Sequence, residues 1–101
     1  MEQFHEAMLT IYKRALAECN YRAKAFLAMV VERGGLPTAK ALLTSDEIQS
    51  GLYELFECDR LDLTVEALVA EGPFRSLFEP GELTEAERRL AMFREKRRRS
   101  A

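Results

Sequence analysis

Glu54, Glu57, Asp59, Asp62 and Glu66 form the densest set of chemically able side chains in this 101-residue chain. Two carboxylates converging in a cleft act as general acid and base, or hold a divalent cation through oxygen ligands. The spacing here fits no known ligand loop, and a solvated face with some residues serving as helix caps explains the same pattern. A carboxylate-dependent enzyme centred on Asp59, Asp62 and Glu66 therefore ranks last among the functional readings. Arg60, Asp62 and Glu66 alternate with apolar Leu61, Leu63 and Val65, so they do not all face water if both flanks are packed. The expected arrangement is structural. Asp62 accepts backbone N–H groups at the start of the following helix, and Arg60 pairs with a neighbouring carboxylate, fixing the turn. The alternative is a polar recognition surface on an exposed loop.

The remaining reactive residues are sparse. His5 is the only histidine, with no second histidine and no nearby cysteine to complete a transition-metal set, so a solvated side chain is expected. Cys19 and Cys58 are far apart and not in a CxxC pair, which predicts buried free thiols rather than a disulfide or a zinc site. No GxSxG elbow, catalytic Cys-His pair, P-loop or GxGxxG is present. No catalytic, cofactor-binding or metal-binding residue is assigned, and no cofactor or small-molecule substrate is implied.

Arg94, Lys96, Arg97, Arg98 and Arg99 form a basic end suited to phosphate contact, each contact adding a salt-sensitive, sequence-independent increment of affinity. Cations in a last helical turn also suit the helix dipole, and no aromatic residue interleaves with Arg97 to Arg99 to stack on bases. Residues 42–87 carry twelve acidic against two basic side chains, while residues 88–101 carry seven basic against one acidic. The acidic middle and the basic end either attract between two copies, steering a homodimer, or fold onto one another within one chain.

The elements that hold these residues are helical, because apolar side chains recur near every 3.6 residues and hardly alternate. Phe4, Met8, Ile11, Tyr12, Ala15 and Leu16 mark a first helix from about Glu2 to Cys19, with Asn20 as its left-handed stop. Tyr21, Ala25, Phe26, Met29 and Val30 mark a second, ended by Gly34 and Gly35. Pro37 sits in the first turn of a short third helix ending near Leu43. Thr44 and Glu47 have capping-box spacing, with Leu43 and Ile48 as a staple, for a fourth helix from about Ser45 to Glu57. Thr64 caps a fifth, with Leu63 and Leu68 as its staple and Gly72-Pro73 as its end. Phe74, Leu77 and Phe78 give a helical turn, and Pro80-Gly81 is a break. Thr84 and Glu87 then cap a sixth helix that frays past Lys96.

The fold expected is all-α, a compact array or bundle of about six short-to-medium helices. It forms one domain over residues 1–93, with a basic tail at 94–101. An apolar content of 48% suits a folded chain, and no stretch approaches the ~20 apolar residues of a membrane span. Met1 to Thr10 carries acidic residues instead of a basic leader, so a cytoplasmic location is expected.

The order Tyr21-Arg-Ala-Lys-Ala-Phe26-Leu27, Gly34-Gly35-Leu36, Gly51-Leu52, Arg60-Leu-Asp-Leu-Thr-Val-Glu-Ala-Leu-Val69, Leu77-Phe78 and Glu85-Ala-Glu-Arg-Arg-Leu90 resembles a recurrent bacterial helical module. That module stands alone at about this length or forms a segment of longer chains, some similar to HNH-type endonucleases. The resemblance implies a helical fold and a nucleic-acid-processing context, and it transfers no activity. The His and Asn pattern of an HNH nuclease is missing, His5 being the only histidine. The residues thus point to a non-enzymatic helical module that binds a protein partner or itself. The alternative is a nucleic-acid-associated accessory protein acting through its basic end.

Overall fold

The computed structural model describes residues 2–45 and 50–100. The chain runs α1 (Glu2–Cys19), α2 (Lys24–Arg33), α3 (Gly35–Thr44), α4 (Ser50–Glu57), a 3-10 turn (Leu61–Leu63), α5 (Val65–Glu71), a second 3-10 turn (Arg75–Leu77) and α6 (Pro80–Ser100). Among the described residues there is no strand, and the all-α expectation holds.

α1 ends where expected, with Asn20 at φ 55°, a left-handed value that asparagine tolerates. Gly34 stops α2 at φ +94°, but Gly35 opens α3 instead of extending the stop. α1 and α3 meet so closely here that a Cβ on Gly35 would lie 2.7 Å from the Cα of His5. The Gly35 N–H, one of the unpaired donors of the α3 start, donates to His5 Nδ1 at 3.0 Å. His5 is thus a half-buried helix cap, and the expectation of a solvated side chain is corrected.

Two helix starts differ from the sequence expectation. Thr44 is the last residue of α3, its hydroxyl donating to the Lys40 carbonyl at 2.9 Å, so it does not cap α4. Glu47 and Ile48, the other halves of that box and staple, lie outside the described residues. α6 begins at Pro80, four residues before Thr84, since proline fits the first helical turn, where its missing N–H costs nothing. Glu82 takes the capping role expected of Glu87, its Oε1 accepting the Glu79 N–H at 2.8 Å. Thr64 does cap α5: its Oγ1 accepts the Ala67 N–H at 3.0 Å and donates to the Leu61 carbonyl at 2.7 Å.

The main core joins Phe4 and Met8 of α1, Val30, Ala39, Leu43, the inner face of α5, and Ala86 and Leu90 of α6. Phe4 packs edge-on against Phe74 and Phe78, with ring centroids 5.2 and 5.4 Å away. A smaller cluster of Leu52, Phe56 and Phe93 fastens α4 to α6. A radius of gyration of 12.7 Å matches the ~13 Å of a single packed domain of this length.

Cys19 and Cys58 are joined in a disulfide across 6.0 Å of Cα separation, which corrects the free-thiol expectation. The C-termini of α1 and α4 converge although 39 residues separate the two cysteines, and no local spacing encodes that meeting.

Candidate functional site

Among the described residues the most deeply buried charged side chain is Arg89, for which the sequence raised no expectation. It lies on the same side of α6 as Ala86, Leu90 and Phe93, so the helix carries it into the core, where it is 1% exposed. Its Nε donates to Glu85 Oε2 at 2.6 Å, one turn earlier. Its Nη1 donates to Glu66 Oε2 and to the Leu42 carbonyl, both at 3.1 Å, and its Nη2 to the Ser45 carbonyl at 2.7 Å. One guanidinium therefore ties α6 to α5 and to the C-terminal end of α3, with its charge met by carboxylates, as a buried cation requires. Its sequence signal is a charge interrupting the α6 stripe, with Glu85 four residues before it.

Glu66 is buried with Arg89 and is not part of an exposed carboxylate surface. Arg60 and Asp62 lie elsewhere and pair with each other, Nε to Oδ1 and Nη2 to Oδ2, both at 2.9 Å. Asp62 therefore takes the Arg60 guanidinium, while the capping of α5 falls to Thr64. Arg60 also donates to Glu18 of α1, which accepts from Arg14 at 2.8 Å as well. Hydrogen bonds from Arg14 and then Arg60 hold the Glu18 carboxyl down at about 2. The Arg60 bond likewise lowers Asp62. This chain of charges lies beside the Cys19–Cys58 bridge and binds the α1 end to the turn before α5. Asp59 is turned to α6, 3.6 Å from Arg97, and so Asp59, Asp62 and Glu66 each face a different arginine and do not converge.

α6 stays helical through Ser100, past the expected fraying point at Lys96. Arg94 pairs with Glu71 of α5 at 2.8 Å. Arg97 lies 4.5 Å over the Phe56 ring and donates to the Phe56 carbonyl. Arg98 and Arg99 both reach back to Glu95. Lys96 Nζ stands 5.9 Å over Phe93. Part of the basic end thus folds onto the acidic middle of its own chain.

A cavity of about 170 Å³ opens between α1, α2, α4 and α5, walled by Ile11, Ala15, Phe26, Leu42 and Leu52 with Glu66 on its lining. Among the described residues no group of three or more His, Cys, Asp or Glu side chains is placed to hold a metal ion.

On the outside of the bundle, α2 presents a second kind of surface. Seven consecutive apolar residues, Ala25 to Val31, encircle this helix, yet α1 and α3 cover one side only and Val30 alone is buried. Ala25, Ala28 and Val31 face outward, Val31 with 70% of its surface exposed. A helix apolar on every side normally lies inside a larger body. Comparison with protein-family models, with curated proteins and with solved structures found no match to this chain. No helix among the described residues is long and apolar enough to cross a membrane.

Proposed function

We propose that the protein is a non-enzymatic helical interaction module, binding a protein partner or a second copy of itself through an apolar helix face rimmed with charge. The observation that carries this reading is the outward face of α2, whose Val31 is left 70% exposed beside Ala25 and Ala28. The internal ion pairing of Arg60, Asp62 and Glu66 supports it, because these side chains hold elements together instead of aiming at a shared point. Immobilised protein compared with its Val31→Glu variant tests the reading: the wild type retains a partner, whether itself or another chain, and the variant loses it. Equal retention by both, or none by the wild type, contradicts it.

A second reading, a nucleic-acid-associated accessory protein, draws support from α6 carrying Arg98 and Arg99 far into solvent, 78% and 81% exposed at their side chains. The resemblance to helical segments of HNH-type chains fits the same reading. Removing residues 94–101 abolishes salt-dependent retention of DNA or RNA if it is right, and a wild type that binds neither at low salt ends it. We place either role in the cytoplasm, where a reducing thiol pool keeps most cysteine pairs open, so the Cys19–Cys58 bridge would form there under oxidising conditions.

A further inference from the structure

We propose that the outer face of α2 pairs antiparallel with the α2 of a second copy, across a two-fold axis passing Ala28. The inference rests on the interaction-module reading and names the occupant of its surface. At ~100° per residue, Val31, Lys24, Ala28, Glu32 and Ala25 fall within one stripe of about 120°. All five are exposed, and the centre of the stripe lies opposite Val30, the buried residue of α2, while Lys24 and Ala25 at its edge also line the cavity.

The charge pattern of the stripe selects both the occupant and its direction. Lys24 and Glu32 lie four residues to either side of Ala28, and neither makes an ion pair among the described residues. An antiparallel copy centred on Ala28 sets Lys24 of one chain against Glu32 of the other, twice over, and Ala25 against Val31. Each residue meets its counterpart across the axis, as an isologous contact requires. A parallel copy would instead oppose Lys24 to Lys24 and Glu32 to Glu32. Alanine at the centre and at one flank lets the helices approach at the short end of the usual 8 to 10 Å range. The exposed methyls of Val31 then pack over Ala25 of the opposing helix.

The contact is small, because a 10-residue helix spans only ~15 Å and buries less than the ~1,200 Å² of stable complexes. The dimer is accordingly weak and reversible, with a dissociation constant on the order of 0.1 to 1 mM.

Sedimentation equilibrium of the full chain up to about 1 mM at low salt reads it directly. The wild type shifts from monomer to dimer. Lys24→Glu weakens association about 10-fold by creating two like-charge pairs, Lys24→Glu/Glu32→Lys restores it to within ~3-fold, and high salt narrows the gap. These positions are exposed, and an unchanged circular dichroism spectrum confirms folding. A wild type monomeric throughout, or a Lys24→Glu defect that the double exchange does not repair, overturns the proposal. Oxidative cross-linking gives an independent check: Ala28→Cys forms a symmetric disulfide dimer far more readily than Thr10→Cys on exposed α1, and equal yields count against the register. A monomeric wild type that still loses another protein on Val31→Glu substitution ends self-pairing and leaves the interaction-module reading standing.

Discussion

Arg89 and Glu66 show how much one residue pair contributes to this fold. Arg89→Met leaves the Glu66 carboxylate buried without its partner and frees the Leu42 and Ser45 carbonyls, so stability falls by about 3–5 kcal/mol in urea unfolding. Adding Glu66→Leu recovers part of that loss, since no buried charge remains orphaned. A loss below ~1 kcal/mol for the single variant contradicts this assignment. Acid dependence belongs to the same scale. Glu18 is held at about 2, against an ordinary 4.5, by Arg14 and then Arg60. Glu85 is held at about 2 by Arg88 and, against its burial, by Arg89. Both are depressed in the folded state, so the unfolded chain binds more protons on acidification. Their stabilisation is complete above about pH 4.5 and is lost as pH falls towards about 2. Unfolding midpoints that stay flat across that interval, at low salt, sink the point. Residue type made a local partner for Arg60 legible, because Asp62 is two positions away. The Glu66–Arg89 pair was not legible, since 23 residues separate its members and only the α5 to α6 packing joins them.

Elements were legible wherever a stop or cap acts through near neighbours. The α1 boundaries, the Gly34 stop and the Thr64 cap each follow from a few adjacent residues. The α6 start was misread because Thr84 and Glu87 mimic a capping box inside a helix that Pro80 and Glu82 had already begun. Thr64→Ala costs about 1 kcal/mol by freeing the Ala67 N–H, and an unchanged urea midpoint rules the cap unimportant. The bridge between the ends of α1 and α4 was invisible for the opposite reason, as it depends on the meeting of two helix ends whose cysteines are 39 positions apart in sequence. It removes a loop of that length from the unfolded ensemble. Reduction, or Cys19→Ser/Cys58→Ser, therefore lowers stability by about 2–4 kcal/mol in urea unfolding. A change under ~1 kcal/mol means the α1 and α4 ends are held by the Arg60 ion pairs and the small apolar clusters alone.

The whole molecule is a helical bundle whose charges mostly satisfy one another and whose large exposed apolar side chains are Val31 of α2 and, less exposed, Tyr53 of α4 and Met92 of α6 among the described residues. The acidic middle and basic end, read from sequence as a steering pair, meet partly within the chain through Arg94 with Glu71 and Arg97 with Asp59. That removes much of the tail's charge from intermolecular attraction and leaves α2 as the surface best suited to a partner. Periodicity made the bundle legible, but it does not tell which of several apolar stripes stays uncovered, because that depends on how the helices are arranged in space. A dilution series of backbone amide spectra tests the central claim, self-pairing through the outer face of α2, most directly. Concentration-dependent shifts confined to residues 24–33 are the expected result; shifts confined to the 94–100 segment, or none up to about 1 mM, contradict it.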